Sequence, residues 1–226
     1  SSVSMDKAFT KIVAKSAKIP QAKYVEVRSD DIKRIKTTAA KIEKKLGYPC
    51  FVKPANAGSS VGITKAHNKD ELIEGLKLAA AHDSKIVVEK AVVGREIECA
   101  VLGNGSRIEA SCVGEIIAAA EFYDYDAKYN NSESKTVVPA VISKEKQDEI
   151  RNMAVKVFKA VDGSGLARVD FFVENETENV IFNELNTLPG FTPISMYSML
   201  WSACGKPMNV LLDELIDLAL EKFGCK

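Results

Sequence analysis

The sequence predicts a mixed α/β or α+β fold in two lobes, on three observations. Segments of helical and strand periodicity alternate along the whole chain, with no internal repeat or low-complexity tract. The 226 residues, 46% hydrophobic, suffice for one large domain or two small ones. A break near residues 92–96 divides the elements into two groups, giving lobes of residues 1–95 and 96–226.

Taken in order, residues 5–17 carry apolar side chains at helical spacing (Phe9, Ile12, Val13, Ala17) and end before Pro20. A short strand at 23–27 precedes a helix over 31–46, with Asp30 or Ser29 as N-cap and Gly47 as its stop. Residues 50–54 read as a strand cut off by Pro54, followed by a glycine- and serine-rich stretch and a returning strand at 62–65. Helical spacing resumes over 71–81, and the β-branched run 86–89 closes the first group. Two apolar strands follow, 96–102 and 108–117, then a polar aromatic loop over 121–136 and a long helix over 144–161. Strands at 166–174 and 179–186 flank a polar turn, and a helix over 209–223 ends the chain.

Composition removes several classes of chemistry. Lys+Arg 31 balance Asp+Glu 31, so nothing in the charge favours nucleic acid or an anionic membrane as partner. No apolar run approaches the roughly 20 residues of a membrane span, and the first residues lack secretory-signal grammar, so a cytoplasmic protein is expected. Five scattered cysteines without a CxxC pair indicate neither a disulfide framework nor a zinc site. With only His67 and His82, a histidine triad or multi-histidine metal centre is excluded. The cysteines, histidines and Trp201 are expected to be structural. The chemistry falls to carboxylates, lysines, arginines and backbone amides.

The hairpin at 166–186 gathers charge. Alternation puts Arg168, Asp170 and Phe172 on one face of the first strand, and Phe182, Glu184 and Asn186 on one face of the second. An antiparallel hairpin centred on Thr177 sets Asp170 opposite Glu184 and Arg168 opposite Asn186. Facing carboxylates destabilise a bare sheet, and a divalent cation reverses that sign. The donors are all hard oxygens, suiting Mg²⁺ over zinc. A turn centre one residue earlier would instead put Arg168 opposite Glu184 as an ordinary ion pair, and the hairpin alone favours that plainer pairing. The sequel, residues 186–192, is a strand end with a Pro-Gly turn that exposes amides for an oxyanion or phosphate.

Residues 53–62 join a strand end, Lys53 and a small-residue loop in which backbone N–H groups, Ser59 and Ser60 can approach phosphates. The loop is neither a Walker A nor a GxGxxG motif, and such loops are more often solvated connectors. Glu89 and Lys90 end an apolar strand and Glu96 begins the next. A carboxylate there can hold a ribose, with the main chain around Val92 pairing an adenine edge; the plainer reading is a charged hinge. Residues 122–129, with three tyrosines, two aspartates and a lysine, read as a loop packed over something.

These pieces occur in a specific order: Val-Lys-Pro-x3-Gly-Ser-Ser-Val-Gly, Glu-Lys-x3-Gly-Arg-Glu, Glu-Phe-Tyr-Asp-Tyr-x2-Lys-Tyr, Ala-Arg-x-Asp and Asn-Glu-Leu-Asn-Thr-x-Pro-Gly-Phe-Thr. Together they resemble the ATP-grasp D-alanine–D-alanine ligases and their vancomycin-resistance relatives, from residue 4 to the C-terminal helix. The resemblance implies the ATP-grasp fold, with ATP and two Mg²⁺ (Mn²⁺ as an alternative) in the cleft between lobes. It implies Lys7 and Lys53 on the phosphates, Ser59 and Ser60 over them, Glu89, Lys90 and Val92 at the adenine and Glu96 at the ribose. Tyr123, Lys128 and Tyr129 fall in a closing omega loop, with Lys128 aimed at the transferred phosphate. Asp170, Glu184 and Asn186 match the metal ligands. Arg168 and Gly190 match the oxyanion contacts, and Ser195 with Met196 matches the second amino-acid subsite.

The implied reaction joins two D-alanines through a D-alanyl phosphate for peptidoglycan precursors, in a protein that pairs as a homodimer at full length. Tyr129 and Met196 favour D-alanine over D-lactate as second substrate, while D-serine stays open. The family's N-terminal substrate domain is absent from these residues, so the chain is expected to bind ATP and to ligate little by itself. A nucleotide-binding module without catalysis is the alternative of a different class.

Overall fold

The computed structural model describes residues 2–58, 61–117 and 135–224. All strand pairings within its two sheets are antiparallel, which makes the fold α+β. The smaller sheet has the order β1-β4-β2-β3, from Tyr24–Arg28 (β1), Cys50–Pro54 (β2), Thr64–Ala66 (β3) and Lys85–Lys90 (β4). The larger has the order β7-β6-β5-β8-β9, from Gly94–Asn104 (β5), Arg107–Ile117 (β6), Lys135–Val137 (β7), Gly165–Glu174 (β8) and Val180–Asn186 (β9).

The helices begin with α1 (Ser2–Met5), which lies almost wholly ahead of the helix expected over 5–17, and α2 (Lys7–Ser16), which forms most of that helix. Asp6 separates them: its carboxylate accepts the Ala8 and Phe9 N–H groups at 2.9 and 3.1 Å, capping α2. The same carboxylate meets the buried Lys85. The expected apolar face of α2 is turned outward, with Phe9 48% and Ile12 50% exposed, while Ala8, Lys11 and Ala14 face inward. The small alanines let the helix lie close against both sheets, Ala8 beside Ala55 and Val87, Ala14 in the core of the larger one.

The helix expected over 31–46 is broken into α3 (Ser29–Ile32) and α4 (Ile35–Leu46). Neither Asp30 nor Ser29 caps it. Asp31 instead accepts the Arg28 N–H at 2.9 Å, folding back on the residue that precedes α3. Gly47, with φ +64°, ends α4 as expected. Asn68 caps α5 (Lys69–His82) by accepting from Asp70 and Glu71. Ser143 caps α6 (Lys144–Ala160), whose Ile150, Ala154, Val157 and Phe158 lie at helical spacing on the larger sheet. The expected C-terminal helix is α8 (Met208–Lys222). Helix α7 (Met196–Ala203) and strand β7 lie where no element was expected.

Period-two alternation divides each sheet into a core face and a cleft face. In β2, Cys50 and Val52 join α4 and α5 in a core, leaving Phe51 and Lys53 opposite. In β5 one face belongs to the α6 core through Ile97, Cys99 and Val101. The other face changes along its length. Ala100 and Leu102 are covered by Tyr197, Leu200 and Trp201 of α7 and by α8, whereas Glu96 and Glu98 open onto the cleft. Trp201 is thus a core residue, as expected. The four described cysteines are free thiols. Among the described residues, no helix is long and apolar enough to cross a membrane.

Candidate active site between the two sheets

Strand β8 supplies Arg168, Asp170 and Phe172 to the cleft, and β9 lies beside it with Asp170 paired to Glu184 and Arg168 to Asn186. This is the Thr177-centred register and not the plainer alternative. The strict alternation assumed for β9 is broken, however. The register shifts between Asp170 and Phe171, so that Phe171 pairs with Phe182 and Asn183 is the extra residue of a β-bulge. Phe182 therefore turns into the core, edge-on to Phe171 with ring centroids 6.1 Å apart. Ile181 takes its place on the cleft face, and Asn183 points into the cleft beside Glu184.

Two cavities of ≈ 520 and ≈ 420 Å³ meet at Lys7, Ile63, Arg168, Asn183 and Glu184. The larger is lined by Lys53, Glu89, Lys90, Val92, Glu96 and Asp170 together with apolar Phe51, Ile116, Phe172 and Ile181. An apolar slot with a charged end suits a ring system carrying an anionic tail. The smaller is lined by Ser4, Thr10, Ala57, Gly58, Asn186 and the 187–190 turn, including Gly190. Ser195 lies beside that turn, its Oγ accepting the Thr192 N–H at 3.1 Å. Met196 packs into the core under Gly114. Ser59, Ser60, Tyr123, Lys128 and Tyr129 lie outside the described residues.

On the small-sheet wall, Glu89 sits between two ammonium groups, Lys11 at 3.1 Å from Oε1 and Lys53 at 3.1 Å from Oε2. Burial pushes the Glu89 carboxyl up, but Lys11 and then Lys53 more than offset this and hold it at about 2. Burial pulls Lys53 down, and Glu89 together with Glu184 and Glu96 outweighs it, so this ammonium titrates above its ordinary range. Burial dominates at Lys7 and Lys11 and lowers both, against Glu184 and Glu89 respectively. Lys53 also reaches across to the large sheet, donating to Asn183 Oδ1 at 3.4 Å, and Lys7 donates to the Ala57 carbonyl at 2.7 Å. Lys90 is anchored on the Tyr48 carbonyl at 2.7 Å, at the cleft's far rim.

On the large-sheet wall, Arg168 forks both oxygens of Asp170 at 2.8 and 2.7 Å and lies 3.1 Å from Glu98. Burial lowers the guanidinium, but Asp170 and Glu98 raise it well above its ordinary value. Asn186 Nδ2 donates to Asp170 at 2.9 Å. Among the described residues, no three His, Cys, Asp or Glu side chains cluster in the manner of a metal site. The candidate set is thus two carboxylates and an amide on neighbouring strands. These hard donors fit Mg²⁺ in kind: Asp170 and Glu184 face each other, and an amide turned about its last bond would offer Asn186 Oδ1. Arg168 holds Asp170 here and would have Glu98 to turn to.

Sequence reasoning missed Lys11, Asn183 and Glu98. Lys11 stands one helical turn from Lys7, and Glu98 two residues from Glu96, directly opposite Asp170. Those spacings were the available signals. The bulge that aims Asn183 had none.

A family model described as "D-ala D-ala ligase C-terminus" matches residues 13–217. The chain is 53% identical over 225 residues to a D-alanine–D-alanine ligase of Acetivibrio thermocellus, covering 99% of this chain and 60% of that protein. It is 53% identical over 220 residues to D-alanine–D-alanine ligase B of Clostridium tetani, covering 97% of this chain and 61% of that one. Among solved structures, the VanG D-Ala:D-Ser ligase from Enterococcus faecalis aligns with a TM-score of 0.86 at 38% identity, over 96% of this chain and 62% of that one. The D-alanine–D-alanine ligase from Coxiella burnetii aligns at 0.83 and 36%, over 97% and 58%. The chain thus spans about three-fifths of the length of these relatives.

Proposed function

The chain belongs to the D-alanine–D-alanine ligase family, and from that premise we propose that the whole protein joins two D-alanines using ATP. Its fold is the ATP-grasp fold, and residues 1–95 and 96–226 are proposed as the small and catalytic lobes. The observation that carries the proposal is the facing of two unlike walls. Lys7 and Lys53 project from the small-sheet side toward Asp170 and Glu184 on the large sheet, around one cleft.

In this proposal Lys7 and Lys53, with Ser59 and Ser60, bind the phosphates. Glu89, Lys90 and Val92 border the adenine, and Glu96 takes the ribose. Asp170, Glu184 and Asn186 hold Mg²⁺, which when bound neutralises charge on the phosphates. Phosphoryl transfer asks of the protein chiefly position and positive charge. The first D-alanine carboxylate takes the terminal phosphoryl group, giving ADP and an acyl phosphate. The amine of the second then attacks the carbonyl, and inorganic phosphate leaves. Arg168 and the Gly190 amide face the oxyanion, Ser195 positions the second amino acid, and Tyr123, Lys128 and Tyr129 exclude water. The whole protein pairs as a homodimer, and neither nucleic acid nor a membrane is a partner.

The test has two arms. Calorimetry of residues 1–226 with AMP-PNP should give binding that depends on Mg²⁺. The whole protein with ATP and D-alanine should release phosphate and form D-alanyl-D-alanine, read by mass spectrometry. Absence of either overturns the proposal. D-serine as second substrate is the second reading, supported by the likeness to VanG. The ratio of kcat/KM for D-serine and D-alanine decides between them.

A further inference from the structure

Lys11 is the largest anomaly of α2. The helix exposes Phe9 and Ile12 and buries a lysine with 1% of its surface accessible. Its ammonium lies 3.1 Å from Glu89 Oε1 and 5.4 Å from the centre of the Tyr24 ring, and it finds no well-directed hydrogen-bond acceptor among the described residues. Burying an ammonium in this way costs free energy that a methionine of similar shape would not. The packing therefore does not account for the charge.

Glu89 does. One of its oxygens faces Lys11 and the other faces Lys53, which in turn reaches Asn183 on the opposite wall. Without Lys11, a buried and ionised Glu89 would have Lys53 as its near counterion and would hold that ammonium back from the cleft. With Lys11 in place the carboxylate is already balanced, and Lys53 can turn to an anion.

We propose that Lys11 is a positioning residue: it neutralises Glu89 from behind and so releases Lys53 to the nucleotide's terminal phosphates. The proposal rests on the nucleotide assignment made above. It differs from a structural role in one respect, that the effect is confined to the phosphates and passes through Lys53. Helix α2 supplies both cations at a one-turn spacing, Lys7 to the cleft and Lys11 to its support.

The experiment is calorimetry of Mg²⁺·AMP-PNP and of adenosine on wild type, Lys11→Met, Lys53→Met and the double variant. Lys11→Met should weaken AMP-PNP roughly tenfold, within the coupling range of contacting residues, and leave adenosine unchanged. The double variant should bind AMP-PNP no more weakly than Lys53→Met. Equal losses for AMP-PNP and adenosine, no loss, or losses that add in the double variant would overturn the proposal while leaving the nucleotide site standing. No binding of AMP-PNP by wild type would bring down the nucleotide assignment and this proposal with it. Lys11→Gln, which keeps a donor to Glu89 without the charge, should show the same phosphate-confined loss and serves if the methionine variant does not fold.

Discussion

Arg168 and Asp170, two residues apart on one strand, are locked together by a bidentate contact of 2.8 and 2.7 Å, with Arg168 12% and Asp170 2% exposed at the side chain. In a flat strand such neighbours share a face and do no more than pass each other. Here Glu98 and Asn186 crowd the pair from the flanking strands and close it. Asp170 thus has a cation of its own in the absence of any other.

The first expectation concerns that clamp. Arg168→Met leaves Asp170 and Glu98 without their guanidinium and should destabilise the chain by about 3–5 kcal/mol, the usual result of breaking a buried pair. Added Mg²⁺ should then recover part of the loss, because a ligand bound only by the folded state stabilises it. Thermal unfolding with and without 10 mM MgCl₂ (about that concentration) checks this. A larger magnesium-induced shift in Tm for wild type than for the variant would contradict it.

Glu184→Gln keeps the size and the strand pairing but removes one of two facing carboxylates. In the whole protein, turnover should fall by on the order of 10²-fold or more, the scale seen on removing a single preorganised electrostatic contact. Tm should stay the same or fall modestly, since the relief of like charges across the strand pair is offset by the loss of a carboxylate beside Lys7, Lys53 and Arg168. Phosphate release and calorimetric unfolding give the two readings.

Removal of Asn183 is a sharper probe. With the bulged residue deleted, the ladder runs on from the Phe171–Phe182 pair and still sets Asp170 opposite Glu184. The deletion should therefore fold, with core-like near-ultraviolet dichroism retained, and lose nucleotide affinity through Lys53, whose 3.4 Å partner is gone. Loss of the folded state would show that the bulge is needed for the sheet itself.

Glu89 makes stability depend on acid. Its carboxyl falls from an ordinary value of 4.5 to about 2 in the folded chain. A depressed carboxyl contributes stability above its unfolded pKa and loses it as pH falls through the folded one. The stability difference between wild type and Glu89→Gln should accordingly be constant above about pH 5 and shrink steadily toward pH 2. Urea titrations at several pH values measure it, and a difference that grows on acidification would refute the assignment.

Gly94 joins the two sheets where β5 begins against β8, and an added Cβ would collide with the Val173 carbonyl and the Glu174 Cα. Because the obstacle is backbone, Gly94→Ala should cost about 1–3 kcal/mol and displace Glu96 two residues on. A fall in Tm together with weakened adenosine binding is the expected pair of results.

Helices and strands were legible where local chemistry is decisive. The alternation on the hairpin offered two registers, and only the ordered motifs around it pointed to the one centred on Thr177, which the sheet adopts with Asp170 against Glu184. Gly47 stopped a helix through a backbone angle of its own. The ordered motifs pointed to the family, and Lys7, Lys53, Glu89, Glu96, Asp170, Glu184 and Asn186 do line the joined cavities.

Other features depended on neighbours far away in the chain. The inward face of α2 was chosen by what it packs on, so the sequence suggested Phe9 and Ile12 where the fold buries Lys11. The break at Asp6 reflects its pairing with Lys85, 79 residues on. Asn183 leaves the strand pattern beside Lys53, 130 residues before it. Periodicity and caps act within a few residues and can be read in one dimension. The partner of a buried charge is fixed by desolvation and by whatever lies across the cleft, and that only the packed sheets decide.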